Sequence, residues 1–491
     1  MKTSLYLSLA ASVAMAGFAS AAPAASAAPT ATTTPAATTA TAAPAASTAS
    51  AASASLTVPA ASSPNAAGKP ASRTSLALLG LGSGTTRVPA APETDWTDAI
   101  KKALVVYENK DTFVRKVRFA WMEQFQVGIV QPNGSNGLHL RPGASPVNQE
   151  FRRSWVGVNI DFASGTEFHT WARIGGLPER WTYSNGHTRR NFTYTDLFDI
   201  WLKQDILPVK GLSVKAGKLK PLFTTDYSTP SSAIVCIERS ILANQFAMDS
   251  NWGLDITYAP NRQNKVYLQL MANDRASASK SLTHRDVYRD GRGLKGEFGW
   301  EDKCYTIIGA SHKFDVTASG YQQISGQYMH DFNNAYHNRR KKGANCYGLG
   351  FKDALSLGYE IRQGQLTFMA NLVAAFESQS SDGSKNIGLQ LQPVYTVNPH
   401  VDLIFRYTGM MGDKACRLAA DRYICTQNTP ASAPTWADSL HSFYFGVDLY
   451  ASARNRNAAK LMFGAEYLTA RAEGQDCYNG WEFTTAARWN F

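Results

Sequence analysis

The last eleven residues of the chain, 481–491, alternate between apolar and polar side chains with a period of two. One face carries Trp481, Phe483, Thr485, Ala487, Trp489 and Phe491, and the other carries Glu482, Thr484, Arg488 and Asn490. Successive side chains of a β-strand point to opposite faces, so this segment predicts a strand with one apolar and one polar side. A strand of this kind that ends the chain on an aromatic residue is typical of a membrane barrel wall between lipid and water.

The N-terminus predicts export. Lys2 is followed by an apolar stretch at 5–18 and then by Ala19-Ser20-Ala21, a small-x-small cleavage site that delimits a signal peptide at 1–21. A second possible site, Ala25-Ser26-Ala27, follows closely. The apolar stretch is shorter than the about 20 residues that a membrane-spanning helix needs, and no later segment reaches that length without charge. If the protein sits in a membrane, we therefore expect a barrel.

The segment between the signal peptide and the charged part of the chain has low complexity. Residues 22–92 begin with a long run of Ala, Thr, Ser and Pro, which cannot bury enough apolar surface to offset the entropy of ordering. We expect a disordered periplasmic tether there. A short helix at 93–110 should follow, with Asp95 or Thr97 as N-cap and these apolar residues at helical spacing: Ala99, Ile100, Ala103, Leu104 and Tyr107.

The remaining residues, 111–491, divide into sixteen alternating segments, an even number, as a single-chain bacterial barrel requires. Short and long connections alternate between them, which matches short periplasmic turns and long outside loops. The predicted fold is thus an all-β, sixteen-stranded antiparallel transmembrane barrel in the outer membrane. Its strands are expected at 115–130, 151–162, 166–175, 194–204, 212–220, 252–259, 265–273, 298–314, 320–331, 345–362, 365–376, 386–396, 399–408, 441–451, 459–469 and 480–491.

The six cysteines all fall toward the predicted outside of the barrel. Cys416 and Cys425 enclose a short loop and are the first candidates for a disulfide in an oxidising compartment. The other four allow three pairings, among which sequence does not choose: Cys236, Cys304, Cys346 and Cys477.

Several function classes find no support in the sequence. Motifs of hydrolases, metalloproteases and nucleotide-binding loops are absent, so we expect neither catalysis nor a cofactor or bound metal. The net charge of +11 is spread over strands and loops of an exported chain, which disfavours nucleic acid as partner. Outer-membrane lipid, lipopolysaccharide and small anionic solutes are the expected partners.

One long connection, 221–251, is unusually apolar, with Ile234, Val235, Ile237, Ile241, Leu242 and Phe246. Exposed to water, it would form a large hydrophobic patch. We expect it to fold into the barrel and narrow the channel; the alternative is a loop that covers an oligomer contact.

The residues around this connection resemble a known family. Gly217-Lys218-Leu219-Lys220-Pro221-Leu222-Phe223, a Ser/Thr-rich turn and Glu238-Arg239-Ser240 are similar to the third-loop region of the phosphate-selective porin O and P family, as is Phe151-Arg152-Arg153 with Gly157. The resemblance implies a sixteen-stranded porin, commonly a homotrimer, whose third loop folds inward and carries cations. It would place Lys218, Lys220 and Arg239 near the narrow zone, with Glu238 as a local ion-pair partner.

The charges on the inner wall favour only a mild anion preference. The family's run of inward arginines and its lysine cluster cannot be matched residue by residue. By alternation, the inward cations are Arg118, Arg153, Arg173, Lys203, Lys215, Lys352, Arg406, Lys460 and Arg488, and the inward anions are Asp161, Asp199, Glu360, Asp402, Asp448, Glu466 and Glu482. Charge sets selectivity where a pore is narrow, so we expect Lys215, Arg153 and Arg173 to line the anion path together with the loop cations.

Two other functions stay open. The long tether and the cysteine-bearing loops also fit a structural or adhesive surface barrel. A sugar-selective channel is the third possibility, because aromatic faces stack on sugar rings and five aromatic residues point inward by alternation: Trp155, Trp171, Trp201, Tyr444 and Tyr450.

Overall fold

The computed structural model describes residues 95–132, 147–175, 181–182, 188–189, 196–245, 250–272, 304–317, 320–332, 351–378, 385–412, 418–419 and 436–491. The expected signal peptide and tether, and the candidate disulfide between Cys416 and Cys425, lie outside the described residues.

Sixteen antiparallel strands form a closed wall, which confirms the predicted fold. Each strand pairs with the next along the chain, and the last pairs with the first from Met122–Asn490 to Pro132–Gly480. The strands are β1 (Val114–Pro132), β2 (Val147–Phe162), β3 (Thr166–Gly175), β4 (Asp196–Asp205), β5 (Leu212–Leu219), β6 (Asn251–Tyr258), β7 (Asn264–Ala272), β8 (Cys304–Thr317), β9 (Gly320–Asp331), β10 (Phe351–Gln363), β11 (Leu366–Ser378), β12 (Lys385–Asn398), β13 (Val401–Gly412), β14 (Ser439–Tyr450), β15 (Ala459–Ala472) and β16 (Gln475–Asn490).

The alternating side chains of the last strand, β16, face opposite sides of the barrel wall. In β16, Phe483 and Trp489 are 46% and 37% exposed, whereas Glu482 and Arg488 are 7% and 0% exposed. The apolar side therefore faces outward and the charged side faces the interior. The same outward apolar surface continues around the barrel in Leu355, Leu357, Phe376, Leu403, Phe443, Phe445, Leu461 and Phe463. Such a band fits the hydrocarbon layer of a membrane.

A short helix stands at the periplasmic end, where the connections between strands are short. Helix α1 (Trp96–Ala103) begins after Asp95, whose side chain accepts a hydrogen bond from the Thr97 backbone N–H at 2.9 Å. It ends before the predicted limit of 110, because Val105–Glu108 forms a short strand that pairs with the start of β1. Among the described residues, no helix is long and apolar enough to cross a bilayer.

Helix α1 is held against the barrel by polar contacts to the turn between β14 and β15. Asn455 Nδ2 donates to Thr97 Oγ1 at 2.7 Å and to Asp98 Oδ1 at 2.9 Å. The hydrogen bond from Ser452 to Asp95, with that from Thr97, holds the pKa of the Asp95 carboxyl below its ordinary value. The beginning of the described chain is thus fixed at the periplasmic rim.

Candidate functional site

The connection between β5 and β6 packs its apolar side chains against inward-facing residues of the wall. Its described part, 220–245 with Ser250, contains the short helices α2 (Thr225–Ser228) and α3 (Ile241–Gln245). Leu242 is buried in a cluster that includes Met410 and Leu440. Ile237 is buried against Met462 and Ala486. The apolar residues that made this connection unusual in sequence therefore form a core with the wall.

Four buried cations of the wall bind the backbone of this connection. They are Arg153 on β2, Arg406 on β13, Lys460 on β15 and Arg488 on β16, and each is at most 4% exposed. We call them the clamp residues. Their donors reach the carbonyl oxygens of Ile234, Ile237 and Glu238, at distances of 2.8–3.4 Å.

The contacts of Arg488 and Lys460 converge on one carbonyl. Arg488 Nη1 donates to the Ile234 oxygen at 2.8 Å, and Lys460 Nζ donates to the same oxygen at 2.9 Å. Arg488 also donates to the Ile237 oxygen at 3.3 Å and to Gln124 Oε1 at 2.8 Å. Hydrogen bonds from charged donors are stronger than neutral ones, so this pair fixes the connection on the wall.

A β-bulge in β2 supplies a further contact. Gln124 of β1 is opposite Arg153, but the next residue, Phe125, is opposite Phe151, so Arg152 is an extra residue. Arg152 Nε and Arg153 Nη2 lie 2.5 and 3.3 Å from the carboxylate of Glu238. Glu238 thus forms ion pairs with two arginines of the wall.

Ion pairs and hydrogen bonds between residues of the connection also stabilise its conformation. Arg239 Nη1 lies 3.7 Å from Asp226 Oδ1, and Arg239 Nη2 donates to the Thr229 carbonyl at 2.7 Å. Lys220 Nζ donates to the same carbonyl at 3.0 Å, and both cations lie over the Tyr227 ring. Burial, together with the nearby Arg239 guanidinium, holds the pKa of Lys220 well below its ordinary value.

Two glycines of the wall leave room for this connection. A Cβ on Gly388 would lie 2.3 Å from Leu242 Cδ1, and a Cβ on Gly358 would lie 2.0 Å from Thr225 Oγ1. Side chains at these two positions would require the connection to move. The wall and the connection are thus matched in shape as well as in hydrogen bonding.

Cys236 sits inside the same contact region. Its thiol is buried, lies 3.6 Å from Gln392 Oε1, and has a pKa raised to about 12 by burial. Because the thiolate is the reactive form, we expect native Cys236 to resist alkylation by iodoacetamide at pH 8. Peptide mass spectrometry should find it modified only after unfolding or after the clamp is weakened, as in Arg488→Ala. Rapid labelling of Cys236 in the native wild-type barrel would contradict this placement.

Two cavities border the connection. The larger, about 460 Å³, is lined by residues of β7–β10 and their turns, including Lys265, Lys313 and Glu360. The smaller, about 280 Å³, is lined by residues of β1–β7, including Trp201 and Lys215. Both reach Leu222 and Ser228 of the connection. The smaller cavity also reaches Trp155 of β2 and Asn490 of β16, two strands that carry clamp residues.

The six cations expected at a constriction lie in different surroundings. Arg153 belongs to the clamp, and Arg239 and Lys220 tie the connection to itself. Lys218 is buried and donates to the Leu197 carbonyl at 2.5 Å. Lys215 Nζ lies 4.3 Å over the Trp201 ring, and Arg173 lies 5.1 Å over the Phe198 ring.

Alternation identified the wall positions of Arg406, Lys460 and Arg488 but not their binding to a backbone. Alternation did not identify Arg152 as an inward cation, because the bulge interrupts the two-residue period. The only sign of it in the sequence was the pair of adjacent arginines, Arg152 and Arg153. Among the described residues, no group of three or more His, Cys, Asp or Glu side chains is placed to hold a metal ion.

The closed strand wall with an apolar outer band defines a β-barrel of the Gram-negative outer membrane. No protein-family model and no curated protein matches the sequence.

Among solved structures, the chain is similar to OprB of Pseudomonas putida, with 12% identity over 76% of this chain and 94% of that one, at a TM-score of 0.48. It is also similar to the anion-selective porin from Comamonas acidovorans (11% identity, 76% and 99% of the two chains, TM-score 0.47). The chain is similar as well to the outer membrane channel DcaP of Acinetobacter baumannii, with 10% identity over 78% of this chain and 99% of that one, at a TM-score of 0.46. What this barrel does must follow from its own residues.

Proposed function

We propose that the protein is a porin-type diffusion channel for small solutes, in which the connection between β5 and β6 lies across the lumen as a constriction. The supporting observation is the spread of its hydrogen bonds, which reach side chains on nine strands. The wall partners are Gln124, Arg153, Tyr267, Asn371, Gln390, Arg406, Tyr444, Lys460 and Arg488. A segment that bonds to so many strands around a barrel can do so only from within.

The channel is proposed to prefer anions. The clamp residues are buried, and three of them are paired with carboxylates: Arg153 with Glu238, Arg406 with Glu466 and Lys460 with Asp448. They therefore contribute little to the charge that a passing solute meets. The cavities instead present Lys215, Lys265 and Lys313. Inside a narrow, partly desolvated path, such a set of like charges attracts ions of opposite sign.

Three carboxylates line the same cavities, and each already has a partner. Asp199 accepts from Ser250 at 2.5 Å. Asp255 accepts from Thr257 at 2.7 Å and from Gln269 at 2.8 Å. Glu360 accepts from Tyr321 at 2.7 Å and pairs with Arg362 at 2.9 Å. In the larger cavity, Arg362 pairs with the one carboxylate and Arg262, Lys265 and Lys313 make the lining positive. In the smaller cavity, Lys215 and Lys220 stand beside Asp199 and Asp255. We do not expect selectivity for phosphate over other anions, because the cations are spread over two cavities and do not form one cluster.

The direct test is single-channel recording in planar lipid bilayers with a potassium chloride gradient. The proposal predicts stepwise conductance and a reversal potential of anionic sign, which decreases in size as salt screens the lysines. A reversal potential of cationic sign would contradict the anion preference. The absence of any conductance would contradict the channel and would favour the adhesive barrel.

A further inference from the structure

We propose that the smaller cavity, beside Trp201, is a binding site for small monocarboxylates that carry an apolar body. This inference rests on the proposed channel and names the class of solute that its lumen favours. Three features carry it: an ammonium group that makes no hydrogen bond or ion pair among the described residues, apolar side chains beside it, and the covered faces of the Trp201 and Phe198 rings.

Lys215 supplies the positive charge. Its Nζ lies 4.3 Å over the Trp201 ring, and within the described ranges it makes no hydrogen bond or ion pair. Asp255, its neighbour on β6, already accepts from Thr257 and Gln269. Asp199 lines the same cavity, accepts from Ser250 at 2.5 Å and interacts with Lys215 only through space. Neither carboxylate takes a hydrogen bond from the ammonium group among the described residues, so its donors can bind an acceptor in the cavity. A carboxylate can accept such charge-assisted hydrogen bonds.

Apolar side chains form one part of the lining around Lys215; the other part is polar and includes Asp199, Lys220, Asp255, Gln269 and Asn490. Met122, Leu219, Leu222 and Pro230 face the same cavity, and the hydroxyls of Ser231 and Ser232 lie on its border. An inorganic anion would leave this apolar surface in contact with water. A solute with both a carboxylate and an apolar body would satisfy the charge and cover the surface. The volume, about 280 Å³, limits the solute to a small one.

Two aromatic rings of this cavity, Trp201 and Phe198, do not offer the open faces that a sugar needs. Trp201 is covered by Lys215 and by the His169 ring, which stacks at 4.7 Å between centroids. Phe198 is covered by Trp155, stacked at 4.5 Å, and by Arg173 at 5.1 Å.

Two of the aromatic residues that motivated the sugar hypothesis lie elsewhere. Tyr444 is bonded to the Ile237 backbone at 3.4 Å, and Tyr450 to Asp402 at 2.8 Å and Asp448 at 3.1 Å. These rings support neighbouring groups, and a sugar would not find a platform there. The carboxylate class is therefore preferred over the sugar class.

The test uses benzoate as probe against the chloride current of single channels. Benzoate should reduce the chloride current with a saturating concentration dependence. Benzyl alcohol, which lacks the charge, and acetate, which lacks the ring, should need at least about tenfold higher concentrations. Lys215→Gln should weaken the apparent affinity for benzoate about tenfold or more, and Lys215→Arg should keep it within about threefold. Lys102→Gln on α1 is the control for loss of one charge outside the lumen.

The outcomes separate this inference from the function on which it rests. Equal inhibition by benzoate and acetate, or an unchanged benzoate affinity in Lys215→Gln, would overturn the site while the anionic chloride current persists. Inhibition by neutral oligosaccharides at lower concentrations than by benzoate would overturn the carboxylate class. A wild-type barrel without conductance would refute the channel itself.

Discussion

Replacing Arg488 with alanine is expected to raise the single-channel conductance and to make the current noisy. Arg488 is fully buried and donates three hydrogen bonds, to the carbonyls of Ile234 and Ile237 and to Gln124. A hydrogen bond to a charged group contributes about 1.5–3 kcal/mol, so the connection loses much of its hold on the wall. Water would fill the vacated volume, and the connection would move between positions. The lumen would then be wider on average.

Two comparisons make this prediction specific. Arg362→Ala removes a cation that projects from β10 and pairs with Glu360, and it should leave the current noise unchanged. Arg488→Ala combined with Lys460→Ala should raise the conductance by less than the sum of the single effects, because both donors share the Ile234 carbonyl. Quiet, wild-type conductance in Arg488→Ala would mean that the clamp does not hold the connection.

Reversing two lysines of the larger cavity should reverse the ion selectivity. Lys265→Glu with Lys313→Glu changes the charge of this cavity by about four units, from two ammonium groups to two carboxylates. Both side chains lie over tyrosine rings, at 5.0 and 4.5 Å, so their charge is held at the cavity wall. In low salt, where screening is weakest, the reversal potential should change sign from anionic to cationic.

The matched control changes the same charge outside the lumen. Lys101→Glu with Lys102→Glu reverses two exposed lysines of α1. The selectivity of this variant should remain anionic and close to that of the wild type at moderate salt, since exposed charges beyond the about 10 Å screening length have little effect. An equal shift in both double variants would locate the selectivity in the overall charge of the protein and not in the cavity.

The strand order and the closure of the barrel could be predicted from sequence because alternation is a local property. Each strand of a membrane barrel has one apolar and one polar face, and this pattern is visible in segments such as 481–491 without knowledge of partners. The helix was predicted too long because its end is set by a non-local strand pairing. Tyr107 fits the helical spacing, but the pairing of Val105–Glu108 with β1 depends on a distant part of the chain.

The clamp could not be predicted, because its acceptors are backbone carbonyls. Alternation places Arg406 and Arg488 on the inner face and so assigns them to the water-filled path. Their burial depends on where the connection lies, which no pattern in β13 or β16 encodes. The bulge at Arg152 adds one residue to β2, and a single inserted residue is invisible to a count of alternating positions. The pairing of Glu238 with Arg152 depends on the same bulge.

A high-resolution cryo-electron microscopy map of the detergent-extracted barrel would show where the connection between β5 and β6 lies. We expect continuous density for 220–245 within the lumen, with the Arg488 guanidinium at hydrogen-bond distance from the Ile234 and Ile237 carbonyl oxygens. Density for this segment outside the barrel, with Arg488 facing open water, would contradict this expectation.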